Sequence, residues 1–208
     1  MTIAIKPREV EAGRDLSMVN PFSTRFTRPG AVPPLDSGGQ PLDVGAMLDR
    51  VTSGCSVIEG LHGRGKTTLL RGLLAAAAAA GRPTALIPVR SWIDAWHALI
   101  ALAQARAGDV VAIDGWEQLP LPCRPLVVGM ARWRQVAVIT TAHQPAGLPL
   151  LTRCESSPTL AHAILARLPD HGGTISATDV ADAYRRHGGN IRDTLGTLYD
   201  RFEERRSC

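Results

Sequence analysis

Gly60-Leu61-His62-Gly63-Arg64-Gly65-Lys66-Thr67-Thr68 is the stretch on which the rest of the chain turns. Three glycines in six positions let a backbone curl tightly enough to aim several N–H groups at one point, which makes an anion nest. Cys55-Ser56-Val57-Ile58 before it is a short, mostly apolar run, as a strand entering the loop should be. Thr68-Leu69-Leu70-Arg71-Gly72-Leu73-Leu74 after it, continued by Ala75 to Ala80, has the composition of a helix. That helix would direct the positive end of its dipole at the nest. A phosphate chain is the anion that suits such a cradle. Lys66 would meet its outer phosphates as a point charge, and the Thr67 hydroxyl would take one Mg²⁺ position.

The 208 residues suffice for one substantial domain, or for a core with a small appendage, and 45% of them are hydrophobic. The net charge of +4 arises from 23 basic and 19 acidic residues without a long basic run. Such a balance permits contact with nucleic acid but does not argue for it. Four cysteines, Cys55, Cys123, Cys154 and Cys208, are scattered and form no C-x-x-C pair, so neither a zinc site nor a disulfide framework is expected. No apolar run reaches about 18 residues and the N-terminus carries no signal-peptide core, so a cytoplasmic, reduced protein without a membrane segment is expected.

Residues 1–40 read as an extended strap, rich in turn formers such as Arg28-Pro29-Gly30 and Pro33-Pro34. Phe22 and Phe26 are two of only three phenylalanines, so the strap is expected to pack on the core. From residue 41 to 156 strands and helices alternate. A short helix is expected over Leu42 to Val51, then strands over Thr84–Val89, Asp109–Asp114 and Val136–Thr141, with a weaker one over Leu150–Cys154. Pro88 marks a strand end or sheet edge. Ser91 with Asp94 starts a helix on which Trp92, Trp96, Leu99 and Ala103 share a face, and the tryptophans read as core. Leu126, Met130 and Trp133 share a face of the next helix. This alternation implies an α/β fold with a parallel sheet covered on both faces. Residues 157–208 turn wholly helical, with starts at Ser157-Pro158, Ser176 and Asn190. Ile191, Leu195, Leu198 and Phe202 line the last apolar face.

Asp114 closes its apolar strand with a carboxylate, which is either a strand-end aspartate in a turn or, with the phosphate loop upstream, a group that would hold a Mg²⁺ shell. Hydrolysis also needs a group to orient or deprotonate water. Glu117 could swing in as that base or face solvent. Glu59 is a weaker substitute. Thr141 and His143 at the next strand end could touch the outer phosphate or the water, or could simply be a strand exit.

The loop fits G-x-x-x-x-G-K-[ST] and resembles the Walker A motif of P-loop nucleoside triphosphatases, and Val110-Val111-Ala112-Ile113-Asp114 resembles Walker B. Taken with a polar strand end and a C-terminal helical segment, the order is similar to that of AAA+ and related ATPases. Gly188-Gly189-Asn190-Ile191-Arg192 resembles their sensor-2 segment. The resemblance implies a three-layer P-loop fold with a helical lid, and ATP bound with Mg²⁺. It implies nucleotide contacts from Gly60, Leu61, His62, Gly63, Arg64, Gly65, Lys66, Thr67 and Thr68, and metal contacts from Thr67 and Asp114. Catalytic roles would fall to Lys66, Asp114 and Glu117, with Thr141 as sensor 1 and Arg192 as sensor 2. Many relatives place a glutamate directly after the Walker B aspartate, and here that position is Gly115. Arg153 resembles a trans-acting arginine finger and equally well reads as a strand residue. An ATPase switch or remodelling helper, a kinase for a small acceptor, and a nucleotide-gated module with little hydrolysis all remain open. So do self-association and a protein or nucleic-acid partner.

Overall fold

Residues 19–207 are described by a computed structural model. Its strands are β1 (Gly54–Glu59), β2 (Thr84–Pro88), β3 (Val110–Asp114), β4 (Ala137–Ala142) and β5 (Leu150–Arg153). Its helices are α1 (Thr24–Thr27), α2 (Val44–Asp49), α3 (Lys66–Ala79), α4 (Trp92–Gln104), α5 (Cys123–Trp133), α6 (Pro158–Leu165), α7 (Ala177–Arg186) and α8 (Ile191–Arg206). The strands form one open, all-parallel sheet in the order β2-β3-β4-β1-β5. The chain runs outward from β1 to the far edge at β2, then steps back through β3 and β4. Parallel crossovers are right-handed, so this reversal puts α3 on one face of the sheet and α4 and α5 on the other.

Side-chain alternation follows the two-residue period of the strands. Cys55 and Val57 of β1, Val111 and Ile113 of β3, and Val138 of β4 meet the α4–α5 layer. Ile58, Val110, Ala112 and Ile139 meet α3. Helix α3 commits Leu69, Leu70, Leu73, Leu74 and Ala77 to that face, all buried. A fully buried leucine contributes about 1.5–3 kcal/mol, so this stripe is a major anchor of the helix. On the outer side of α3, Pro34 of the strap lies so close to Gly72 that an added Cβ would stand 2.5 Å from its ring. The missing side chain at Gly72 is what admits the strap.

Several expectations need correction. The helix before β1 is shorter than Leu42 to Val51, since only Val44–Asp49 is helical, capped by the Asp43 carboxylate on Ala46 N–H. Part of the strap, residues 1–18, lies outside the described residues. Within the rest, Thr24–Thr27 forms one helical turn rather than extended chain. Phe22 packs not on the sheet but on the C-terminal helices, edge-on to Phe202. Trp92 and Trp96 are not core residues. Ala95, Ala98, Leu99 and Leu102 face the sheet, and both tryptophans point outward. Likewise Val127 and Ala131 are the buried residues of α5, while Leu126 and Trp133 are exposed. Small side chains let these helices lie close to the sheet, and the bulky ones rotate away.

Helices α6 to α8 share a separate apolar cluster that includes Ala161, Val180, Ala183, Leu198 and Phe202. A polar knot closes it. Asp179 accepts the Ser176 backbone N–H and hydroxyl in a capping box, and its two oxygens meet Arg201 at 3.0 Å and Arg205 at 2.7 Å. Hydrogen bonding to Arg205 holds the Asp179 carboxyl far below the usual carboxylate range. A depressed folded-state pKa stabilises above the unfolded value and loses that contribution as pH falls through it. Asp179→Asn is therefore expected to lower the thermal midpoint at pH 7. The deficit against wild type should stay constant down to about pH 4 and shrink below it, near the unfolded carboxylate pKa. Thermal melts of both proteins from pH 7 to pH 3 measure this.

Candidate functional site

The carboxyl ends of β1, β3 and β4 meet where the chain reverses direction, the place in an open parallel sheet where a crevice forms. The loop 60–65 crosses this end. Gly60, Gly63 and Gly65 have φ of 151°, 69° and 86°, values that side chains rarely adopt. The loop delivers Lys66 as the first residue of α3, with only 7% of its surface exposed. Its ammonium donates to the carbonyls of Gly60 and Leu61 and to His143 Nδ1 at 2.9 Å. Burial lowers the Lys66 pKa, and nearby Arg192 lowers it further, against the opposing pull of Cys154, Glu117 and Asp114. Burial and Lys66 also lower the His143 pKa, so its imidazole is neutral at pH 7 and accepts from the ammonium. The rings of His62 and His143 lie 3.6 Å apart, centroid to centroid.

Asp114 stands at the end of β3 with its carboxylate in a frame of donors. Thr67 Oγ1 donates to Oδ2 at 3.1 Å and Thr141 Oγ1 to Oδ1 at 2.7 Å. Thr141 Oγ1 in turn accepts the Gly115 N–H at 3.0 Å. The register that pairs Asp114 with Thr141 across β3 and β4 makes this contact unavoidable. Glu117 lies in a 3-10 turn, Trp116–Gln118, and accepts the His143 backbone N–H. It therefore faces the same crevice as Asp114. Glu59 is buried at the end of β1 and paired with Arg153 of β5 at 3.2 Å.

A cavity of about 1140 Å³ joins these groups. Lys66, Thr67, Asp114, Glu117, Thr141 and His143 line its floor, and Arg192 of α8 lines the side toward the C-terminal helices. The strap from Phe22 to Ser37 lines another side, where Ser23 Oγ is buried without a protein partner. All the residues anticipated as catalytic thus border one space, as do the loop positions from His62 to Thr68. Gly60 and Leu61 instead turn their carbonyls to the Lys66 ammonium.

No protein-family model matches the chain, and a search of curated proteins returns no match. No helix among the described residues is long and apolar enough to cross a membrane.

Three features of the site were not anticipated. Arg90 Nη2 comes within 3.7 Å of Asp114 Oδ2. Arg90 lies two residues beyond β2, which ends at Pro88 opposite Asp114, so the strand-end pattern that identified Asp114 points to the neighbourhood of Arg90 but not to Arg90 itself. The strap is a wall of the cavity, for which the sequence held no local signal. The third is the junction between the loop and α8. The Ile191 N–H donates to the Gly63 carbonyl at 3.2 Å, and Arg64 donates to the Gly188 carbonyl at 3.1 Å. Asn190, whose Oδ1 caps α8 on the Asp193 N–H, occupies the space above Gly63. An added Cβ there would fall 1.6 Å from Asn190 Oδ1. Gly63→Ala should therefore displace the cap and strain the loop. A lost cap costs about 1 kcal/mol and a left-handed alanine about another 1–2 kcal/mol. Urea unfolding of the variant is expected to show a loss of that combined size.

Proposed function

We propose that the chain binds ATP with Mg²⁺ in this cavity and hydrolyses it slowly, as a P-loop ATPase of AAA+ type whose helices α6–α8 act as a lid. The observation that carries this reading is the convergence of Lys66, Thr67 and Asp114 at one sheet end, with Thr141, Glu117 and Arg192 around the same space. A buried cation at the positive end of a helix is unfavourable by itself and suits a site built to receive phosphate. The orphaned Ser23 hydroxyl in the strap wall suits a ligand that extends beyond its phosphates.

The donor set also fits magnesium. Among the described residues no three His, Cys, Asp or Glu gather into a cage, and Mg²⁺ asks for none, since one or two protein oxygens, water and substrate phosphates complete its octahedron. Thr67 Oγ1 would ligate it directly and Asp114 through water, and bound there it would offset charge on the phosphates. Asp114 is held ready for this by Thr141. Glu117 orients the attacking water and takes its proton as the new oxygen–phosphorus bond forms. The bond from the γ-phosphorus to the bridging oxygen breaks, and ADP carries away the electron pair. Lys66 and Arg192 offset the developing negative charge. Arg192 belongs to α8, so nucleotide state and lid position are coupled, and lid motion is the output passed to a partner.

A second reading, a nucleotide-gated module with little turnover, is favoured by one observation. Gly115 stands where a catalytic glutamate is common, and the Glu117 carboxylate is already engaged by the His143 N–H. Two variants separate the possibilities. Lys66→Ala should keep the fold, because its ammonium meets only loop carbonyls and a ring nitrogen. ATP affinity should fall about 10- to 100-fold or more, the scale of one charge-assisted contact. Undiminished affinity by calorimetric titration would falsify the ATP site. Glu117→Gln should retain ATP binding and lower turnover about 100-fold or more if it is the base. Unchanged turnover would reduce Glu117 to an acceptor for the His143 N–H.

A further inference from the structure

A lysine ammonium carries three N–H donors and no more. The protein itself matches all of those on Lys66, with the carbonyls of Gly60 and Leu61 and with Nδ1 of His143 at 2.9 Å. A cation with only 7% of its surface exposed needs such matching, because an unpaired buried donor is costly. The same saturation leaves no N–H to meet a phosphate. One of the three acceptors must therefore give way when a phosphate chain enters.

Two of the acceptors are backbone groups held in place. Gly60 donates its own N–H to the Ala142 carbonyl at 3.0 Å, and an added Cβ on it would stand 2.5 Å from the Cys154 carbonyl oxygen. That wedge fixes the Gly60 carbonyl, and Leu61 is bonded directly to it. The third acceptor sits on a rotatable side chain. The His143 main chain is held, since its N–H donates to the Glu117 carboxylate. Its ring lies against His62, 3.6 Å between centroids, and borders the cavity, so it has space in which to turn. A phosphate oxygen outcompetes a neutral ring nitrogen for the ammonium, because it adds the attraction of opposite charges to the hydrogen bond.

We infer that His143 is a positioning residue for Lys66, whose imidazole holds the ammonium beside the loop carbonyls until a phosphate oxygen takes the place of Nδ1. This role rests on the proposed phosphate site and gives His143 a definite sign within it. The ring competes with phosphate for Lys66 and so lowers affinity, while it keeps the buried ammonium paired at the cavity floor. The polar end of β4 and the residues just past it then have two separate tasks. Thr141 fixes Asp114, and His143 fixes Lys66.

Calorimetric titration with inorganic tripolyphosphate and with ATP and Mg²⁺ tests this, the first probe being a phosphate chain without a base. Wild type is compared with His143→Phe, His143→Ala, His143→Asn, Lys66→Ala and the Lys66→Ala/His143→Phe pair, each checked for fold by far-UV circular dichroism. Phenylalanine keeps a ring against His62 but turns a C–H edge to the ammonium, and that edge is positive. With the competitor removed, both probes should bind about 10-fold tighter, the scale of one hydrogen bond to a charged group. Alanine also lacks an acceptor and should shift affinity in the same direction, so the result does not hang on one replacement. Asparagine restores a side-chain oxygen acceptor, and its affinity should return to within about 3-fold of wild type. The gain from phenylalanine should vanish in the Lys66→Ala background, where no ammonium is left to release. Unchanged or weaker binding by the phenylalanine and alanine variants would overturn the inference and make the ring a bystander or a phosphate contact. The ATP site would still stand in that case, provided that wild type binds and Lys66→Ala binds worse. A gain that persists without Lys66 would overturn the inference too, by tracing the effect to the shape of the cavity. A wild type that binds neither probe would remove the phosphate site and the role of His143 together.

Discussion

A buried lysine at the wrong end of a helix dipole is the constraint around which this molecule is arranged. Lys66 opens α3, where the free N–H groups already concentrate positive charge, and little water reaches its ammonium. Burial lowers its pKa, and Arg192 lowers it further. The loop answers by curling back until two of its own carbonyls, Gly60 and Leu61, meet the ammonium. Only a chain with glycines at 60, 63 and 65 can follow that path. The residual positive field is then available to an incoming polyanion, and the proposed function is the chemical use of it. Local electrostatic cost held by a surrounding fold is common where a ligand is to be received.

The loop is held from two sides, and the two differ in character. On the sheet side, Asp114 and Thr141 are fixed by strand register and buried, so their geometry is as rigid as the ladder that carries them. On the helical side, the Ile191 N–H donates to the Gly63 carbonyl and the Arg64 guanidinium donates to the Gly188 carbonyl, with Asn190 packed above Gly63. The residues that cap α8 are thus the residues that touch the loop. A change in loop conformation therefore acts on the first turn of α8, where Arg192 lies, before it acts on anything else. The C-terminal helices keep their own apolar cluster and the Asp179 knot, so they can answer as a unit.

Much of this was legible in the sequence because it is local. Unbroken apolar runs ending in polar residues read as parallel strands, and Asp114 and Thr141 were found by that pattern. The caps at Ser91, Ser176 and Asn190 are three-residue signals, and each one holds. The orientation of α4 was not legible. Its sequence is apolar on nearly every side, so helical periodicity offers both the stripe with Trp92 and Trp96 and the stripe with Ala95, Ala98 and Leu102. Packing chose the smaller residues, which let α4 sit close over Val111 and Ile113, and only the sheet's position reveals that choice. The seat of Asn190 over Gly63 was hidden for a different reason. It joins positions far apart in the chain, and neither residue type announces the other.

The exposed tryptophans and the cavity are joined by a short piece of chain. Arg90, which reaches Asp114, is followed at once by Ser91 and Trp92. The Asp94 carboxylate accepts the N–H groups of both Arg90 and Ser91, so the start of α4 and the Arg90 backbone are fixed to one another. Any shift of that helix would carry the Arg90 backbone with it, while Asp114 stays anchored by β3 and by Thr141. Arg90 is thus the one charged neighbour of Asp114 whose support lies in the exposed helical layer and not in the sheet. The capping box at Ser91 is the physical link between α4 and the proposed metal ligand.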